Sequence, residues 1–420
     1  MSEPGEAAPG ESGDSGEAGV SGETGASGEA APVAPAPVAL GRKGAGGARR
    51  ALLGVVLAGG ASRRYGRAKW RVEVAGVSMA KRAADALSPL VAFVGVVGDD
   101  PEVARTLGLP GREDPRPGSG PLGGLHTALT WAAREELAGA LVLGCDLPLV
   151  TTDVLRVLVE RWGGQLAVVP RGKNGLEPVC ALFSVAALGA VAEAMLGSDA
   201  SLHGLLAGLD PDAVPVEELA RVAATPEVLL NVNTPADRMR AEALLHVGPP
   251  LLCVVGKKNS GKTGVTVALA AELGQRGRRV MTVKHGHGFE LDRPGTDSWR
   301  HRREGGAERV LVVGPEDLAM LGGWGPEGER PLRELADRWL ADAEIVVAEG
   351  WKAGPDPKVE VFRVAAHAEP ILVSGSADAE TFLAVVTDDP GHEPGVPVFS
   401  LSDPAYAARV ADLVERVLLV

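Results

Sequence analysis

Leu57-Ala-Gly-Gly-Ala-Ser-Arg-Arg-Tyr-Gly66, with Lys69 just beyond, follows the apolar run at 51–57. Far downstream, Gly256-Lys-Lys-Asn-Ser-Gly-Lys-Thr263 follows the apolar run at 251–255. Each is a glycine-bearing turn leaving a predicted strand, with a lysine and hydroxyls in reach. That is the chemistry needed to hold a nucleoside triphosphate. The two turns differ in design, so the chain reads as a fusion of two nucleotide-binding proteins acting on one pathway.

Working outward from the first turn, short β-rich runs alternate with helical ones. Strands are expected at 51–57, 91–97, 140–145, 166–170 and 178–183. Helices are expected at 79–87, 121–137, 152–162 (capped by Thr151 or Thr152) and 185–195. This alternation implies a largely parallel sheet covered on both faces. Ligands in such sheets bind at the carboxyl ends of strands, where Gly59, Gly60, Asp99 and Asp146 fall. A helix at 236–245 precedes Gly248-Pro249-Pro250, which breaks the chain. A second series follows, with strands at 251–255, 280–283, 309–313, 345–348, 359–363, 371–374 and 384–387, and helices at 262–275 and 403–418. The fold class is therefore α/β in two domains, at 51–247 and 251–420.

The 420 residues are 45% hydrophobic, enough for two cores. The formal net charge of −13 misleads. Glu3, Glu6, Glu11, Asp14, Glu17, Glu23 and Glu29 sit in an N-terminal stretch without Lys or Arg. Residues 1–50, Gly/Glu/Ser-rich and then Ala/Pro-rich, cannot offset chain entropy by burial and are expected to be a disordered tail. No basic stripe with interleaved aromatics suggests nucleic acid. No apolar stretch is long enough for a membrane span. Cys145, Cys180 and Cys253 lie in apolar strand contexts without a CxxC spacing and read as reduced, buried thiols of a cytoplasmic protein.

In the first domain, Gly59 and Gly60 let backbone N–H groups approach a triphosphate. Arg63 and Lys69 supply fixed positive charge, which stabilises phosphoryl transfer. Asp146, in Gly144-Cys-Asp-Leu-Pro148, sits where a Mg²⁺-binding carboxylate is useful. Asp114 is a second candidate. The ordered set of this turn, Lys69, Gly120-Pro-Leu-Gly123, Cys-Asp-Leu-Pro, Glu177-Pro178 and Asn231-Val-Asn-Thr-Pro-Ala-Asp237 resembles the molybdenum cofactor guanylyltransferase (MobA) family. That resemblance implies a Rossmann-like, nucleotide-diphospho-sugar transferase fold. It implies GTP binding by Leu57, Ala58, Gly59, Gly60 and Lys69, a guanine-side role for Asp114, Mg²⁺ at Asp146, and a pterin- or metal-side role for Asn231 and Asn233. Arg63, Lys69 and Asp146 are the expected catalytic residues. Tyr65 stands where the family usually has Met, and Gly98-Asp99-Asp100 where it often has an Asn.

In the second domain, Gly256-x4-Gly261-Lys262-Thr263 after a strand is a P-loop signature. Backbone N–H groups through Asn259, Ser260 and Gly261 are expected to cradle phosphates, with Lys262 on the β- and γ-phosphates and Thr263 on Mg²⁺. Glu349, ending an apolar strand, is a further carboxylate for that ion. His285 and His287 read as phosphate or structural hydrogen-bonding groups rather than metal ligands. With Leu291-Asp-Arg-Pro-Gly-Thr-Asp-Ser298, Glu304-Gly-Gly-Ala307, Glu349-Gly-Trp-Lys352 and Lys358-Val-Glu-Val-Phe-Arg363, this half resembles the MobB family, the GTP-binding adaptor of molybdopterin-guanine dinucleotide biosynthesis. Thr296 replaces a residue that is commonly basic there. His285, Asp292 and Asp297 match motif positions without an assigned role. Nucleotide binding with slow or negligible hydrolysis is the expectation.

Together the resemblances imply GMP transfer from GTP to molybdenum-bearing molybdopterin, with pyrophosphate leaving and Mg²⁺ as cofactor. The partners implied are molybdenum-insertion proteins and recipient molybdoenzymes or their chaperones, with a homodimer through the C-terminal half as an open alternative. Two rival functions are a molybdopterin cytidylyltransferase and a non-catalytic GTP-binding scaffold. Leu-Ala-Gly-Gly rather than Leu-Ala-Ala-Gly, and the adaptor half, favour guanine.

Overall fold

The computed structural model describes residues 51–59, 68–114, 120–197, 200–286, 291–326, 328–376 and 378–419. Gly60, Arg63, Tyr65, His287 and the expected tail lie outside the described residues.

The first half contains strands β1 (Leu52–Leu57), β2 (Glu73–Val74), β3 (Val77–Ser78), β4 (Phe93–Val97), β5 (Gly111–Arg112), β6 (Gly139–Gly144), β7 (Ala167–Gly172), β8 (Gly175–Leu176), β9 (Cys180–Ser184) and β10 (Asp212–Pro215). Its helices are α1 (Met79–Leu87), α2 (Pro101–Leu107), α3 (Gly120–Arg134), α4 (Thr152–Arg161), α5 (Leu188–Ala194), α6 (Leu202–Leu209), α7 (Val216–Leu219) and α8 (Pro235–Leu245). Strand order is β10-β7-β9-β6-β1-β4-β5, with β8 on β7. The order reverses around β1, where β4 pairs on one side and β6 on the other, both parallel. Side chains alternate along β1. Leu52 and Val56 enter one core with α1 and α4, while Leu53, Val55 and Leu57 enter another with α3, α5 and α6. A strand buried on both faces must read as an unbroken apolar run, which is why 51–57 stands out in the sequence.

The sheet is mixed rather than uniformly parallel. β9 runs antiparallel to both β6 and β7. Too few residues separate β7 from β9 for a crossover, since a parallel return needs about a dozen. Thr151 is the cap of α4, accepting from Val154 N at 3.5 Å.

The second half contains β11 (Leu251–Val255), α9 (Lys262–Gln275), β12 (Val280–Lys284), α10 (Asp297–Arg303), the antiparallel hairpin β13 (Arg309–Val313) and β14 (Leu318–Gly322), α11 (Leu332–Trp339), β15 (Ile345–Glu349), β16 (Lys358–Phe362), β17 (Phe382–Thr387), β18 (Val398–Ser400) and α12 (Tyr406–Leu418). Its main sheet, β12-β15-β11-β16-β17-β18, is parallel throughout. Residues 371–374 do not form the expected strand. The N–H groups of Ile371 and Leu372 donate instead to the buried carboxylate of Glu360 on β16, at 2.5 and 2.8 Å. An apolar tetrapeptide whose amides satisfy a buried acid has no need of a strand ladder.

The two halves pack through α8. Met239 of α8 is 2% exposed and belongs to the core formed by β11, α9 and α12. Ala241, on another face of α8, packs with Val72, Val74 and Val232 of the first half. His246 lies 3.0 Å from Asp337, and Arg333 donates to the Pro249 carbonyl at 3.2 Å. A cavity of about 460 Å³ lies along this junction, lined by Gly76, Met239, Glu242, Arg333, Trp351 and Asp356 among others.

Candidate functional site

β1 and β6 are in parallel register with Leu57 opposite Gly144. The turn that starts at Ala58 and Gly59 therefore leaves the sheet beside Cys145 and Asp146. Two backbone bonds fix this edge: Ala58 N to Val97 O at 3.0 Å, and Cys145 N to Leu57 O at 3.1 Å. This is the reversal point of the strand order, where a crevice opens outside the carboxyl ends.

Lys69 reaches this point from a single helical turn at Lys69–Arg71, anchored by the buried Trp70. Its Nζ lies 3.0 Å from Asp146 Oδ2 and donates to Asn233 Oδ1 at 2.7 Å. Asn233 is delivered by the segment entering α8. Val232 N donates to the Asp146 carbonyl at 2.8 Å. Asn233 N and Thr234 N both donate to Asp237 Oδ2, at 2.9 and 2.8 Å, and Thr234 caps α8 reciprocally. Such a capping box satisfies orphan donors of the first helical turn. Residues 69, 146 and 233, far apart in sequence, are thus brought into contact. Asn231 is half-buried beside them, and among the described contacts it does not touch Lys69. Asp114 follows β5, two strands beyond β1 on the same carboxyl edge.

Glu177 received no role in the sequence reading and belongs here. Burial raises its carboxyl pKa, and the neighbouring Asp146 raises it further. The Glu177-Pro178 pair was the signal available. Burial, with Asp146 adjoining, pushes the Cys145 thiol up to about 12, so this cysteine is an inert core thiol.

In the second half, β11 and β15 are in register with Val254 opposite Glu349, so the P-loop and Glu349 leave the sheet side by side. Thr263 Oγ1 donates to both Glu349 oxygens at 3.0 Å, and Lys284 Nζ donates to Glu349 Oε1 at 2.7 Å. Burial opposes ionisation of Glu349, but the Lys284 and Thr263 hydrogen bonds outweigh it and lower the pKa. Lys284 was not singled out from sequence; a charged residue closing the β12 strand, in register with Glu349, was its signal. Lys262 Nζ donates to the Lys257 carbonyl at 2.8 Å, and burial, then Lys352 and Lys284, lower its pKa. The loop needs its glycines. A Cβ on Gly256 (φ 157°) would sit 2.6 Å from the Val361 carbonyl, and Gly261 opens α9 at φ 92°. Asn259 also takes a left-handed φ of 63°, and Ser260 is buried within the turn. The His285 ring meets Trp351 at a centroid distance of 5.1 Å, tilted by 49°, and faces Glu329. Asp292 accepts from Arg302 and Ser298, both at 2.9 Å, and so organises the start of α10. Among the described residues no cluster of three or more His, Cys, Asp or Glu side chains is placed to hold a metal. No helix among them is long and apolar enough to cross a membrane.

Comparison with known proteins follows the same division. The model of the MobA-like NTP transferase domain matches residues 54–214, and that of the molybdopterin guanine dinucleotide synthesis protein B matches 251–388. The probable molybdenum cofactor guanylyltransferase of Pelotomaculum thermopropionicum is 34% identical over 46% of this chain and 92% of its own length. The molybdopterin-guanine dinucleotide biosynthesis adapter protein of Haemophilus influenzae is 36% identical over 27% of this chain and 64% of its own length. The crystal structure of molybdopterin-guanine dinucleotide biosynthesis protein A from Archaeoglobus fulgidus is 27% identical, with a TM-score of 0.39, over 46% of this chain and 97% of that one. The chain belongs, through its N-terminal half, to the molybdenum cofactor guanylyltransferase family, a family of nucleotidyltransferases, and carries a MobB domain after it in the same polypeptide.

Proposed function

We propose that the first half transfers GMP from GTP to the terminal phosphate of molybdopterin, already loaded with molybdenum, while the second half binds GTP as an adaptor. The observation that carries this reading is the meeting of Lys69, Asp146 and Asn233 at the carboxyl edge where the glycine turn begins. An acceptor phosphate oxygen attacks the α-phosphorus of GTP, and the bond to the β-phosphate oxygen breaks. Pyrophosphate departs with the bonding electrons. The acceptor phosphate is already anionic at neutral pH, so the reaction asks for positioning and charge neutralisation rather than a strong base. Lys69 supplies a fixed ammonium to the triphosphate, and Asn233 and Asp146 hold that ammonium in place. Arg63, from outside the described residues, adds a second cation. Leu57, Ala58 and Gly59 begin the turn beneath the nucleotide, Gly60 is assigned to the same site by its place in the sequence motif, and Asp114 reads the guanine side.

Asp146 suits Mg²⁺, because that ion takes one or two protein carboxylates and fills its remaining positions with phosphate oxygens and water. When bound, the ion would neutralise charge on the reacting phosphates.

In the second half, Lys262, Thr263 and Glu349 form the phosphate end of the GTP site, with Thr263 and Glu349 on the Mg²⁺ side. Exposed Leu311, Val313, Leu318 and Met320 on the β13–β14 hairpin support self-association of this half. Three free, buried cysteines support a cytoplasmic location. Analytical ultracentrifugation of wild type and Leu318→Glu tests the self-association.

Product analysis tests the transferase. Molybdenum-loaded molybdopterin is incubated with GTP or CTP and Mg²⁺, using wild type and Asp146→Ala. GMP-linked pterin and pyrophosphate from GTP, lost in the variant, are expected. Turnover with CTP alone moves the reading to a cytidylyltransferase, and no product from folded wild type leaves a binding scaffold.

A further inference from the structure

Arg240 ties together three parts of the molecule that the sequence keeps apart. On one side its guanidinium meets Glu227 through two bonds, Nε to Oε2 at 2.8 Å and Nη2 to Oε1. On the other, Nη1 donates to the carbonyls of Arg416 and Leu419 at 2.8 and 3.0 Å. Those carbonyls belong to the C-terminal end of α12, where the last carbonyls of a helix have no partner within it and carry the negative end of its dipole. The side chain is only 19% exposed, so these are not loose surface contacts.

The Glu227 anchor leads to the transferase site, and the α12 anchor to the P-loop half. The Glu227 carbonyl accepts from Leu230 N at 2.8 Å, closing the turn that feeds residues 231–233. Val228 is buried in the core beside β6. Asp237, one turn before Arg240 on α8, holds the Asn233 backbone. Helix α12 in turn lies on the P-loop helix α9: Arg276, at the end of α9, reaches Asp412 at 2.7 Å and Glu415 at 2.9 Å.

We propose that Arg240 is a positioning residue for GMP transfer, so that the last helix of the P-loop half forms part of the support of the transferase site. It acts through Asn233, which orients Lys69, and touches neither substrate nor reacting atoms. The inference rests on Lys69, Asp146 and Asn233 being that site. Its consequence is that the C-terminal half contributes to catalysis structurally, apart from any GTP it binds. A planar fork spans Glu227 and the helix end at once, whereas a lysine cannot make both sets of bonds.

The test uses the full chain, with Arg240→Ala, Arg240→Lys, Glu227→Gln, Asn233→Ala, the Arg240→Ala/Asn233→Ala pair and Lys69→Ala. Steady-state pyrophosphate release gives kcat and KM for GTP, and circular dichroism gives the folded fraction. Misplacing a positioned group costs up to about 100-fold in rate, so Arg240→Ala is expected to lower kcat about tenfold or more, with KM for GTP within about threefold of wild type. The double variant should be no slower than Asn233→Ala alone, because groups acting through one another are non-additive. Wild-type kcat in folded Arg240→Ala overturns the proposal, as does a double variant whose losses multiply. If Arg240→Ala does not fold, Arg240→Lys and Glu227→Gln carry the same comparison. Full activity in Lys69→Ala would instead mean that the site itself has been misassigned.

Discussion

Replacing Lys69 with Ala removes one positive charge from the crevice and leaves the glycine turn, Asp146 and the sheet edge in place. The Lys69 side chain is 20% exposed and that of Asp146 27%. A unit charge about 4 Å from a phosphate oxygen, at an effective dielectric near 20, is worth about 4 kcal/mol. Solvent entering the vacated space recovers part of this. Removing one preorganised donor of this kind costs about 2.7–4 kcal/mol in measured cases. The expected loss in kcat is therefore about 100- to 1,000-fold. Stability should change far less, since an ion pair still reached by solvent contributes about 0–1 kcal/mol. Pyrophosphate release at saturating GTP and molybdopterin, with thermal unfolding of the same samples, separates the two effects. A kcat within about fivefold of wild type, in a protein with unchanged unfolding, would refute the reasoning. Lys69→Met, which keeps the apolar stem, should match Lys69→Ala if charge is what matters.

Other consequences follow from the same geometry. Asp146→Asn should lower kcat at least about 100-fold and raise the Mg²⁺ concentration needed for half activity, read by titrating Mg²⁺ in the transfer assay. Gly256→Ala forces a Cβ against the Val361 carbonyl; it should cost about 1–3 kcal/mol and abolish GTP binding by the second half, seen by denaturant melts and by calorimetry. Met239→Ala should cost about 2–5 kcal/mol and uncouple the halves, splitting one calorimetric unfolding transition into two. The hydrogen bond from Arg240 lowers the pKa of Glu227 below its ordinary value. A depressed carboxylate pKa adds stability above the unfolded pKa and loses it as pH falls through the folded one. Arg240→Ala should therefore flatten the acid limb of the stability curve below about pH 4.5, measured by urea melts across pH.

The fold was legible where burial on both faces forced a continuous apolar run, as in β1 and β11, and where glycine turns marked strand ends. The same logic misread residues 371–374, because an apolar run does not reveal that Glu360 will take its amides. The reversed direction of β9 was encoded only in the shortness of the link from β7. Lys69, Asp146 and Asn233 were each readable from motif positions, and their convergence follows from the register of β1 with β6. Arg240 carried no signal, because its partners are main-chain carbonyls of a helix in the other half and a glutamate in an unremarkable loop. Helix α8 was readable as a helix, but not as a shared one. Met239 and Ala241 face different cores, so its apolar positions form no single stripe.

The central claim is that one chain holds two GTP sites with different tasks, transfer at the first and binding at the second. Single-turnover reaction with GTP labelled at the α-phosphorus, at saturating concentration, tests it most directly. Label should appear in the pterin product with wild type and with Lys262→Ala, and should be lost with Asp146→Asn. Label that survives Asp146→Asn, or that disappears with folded Lys262→Ala, would contradict the account.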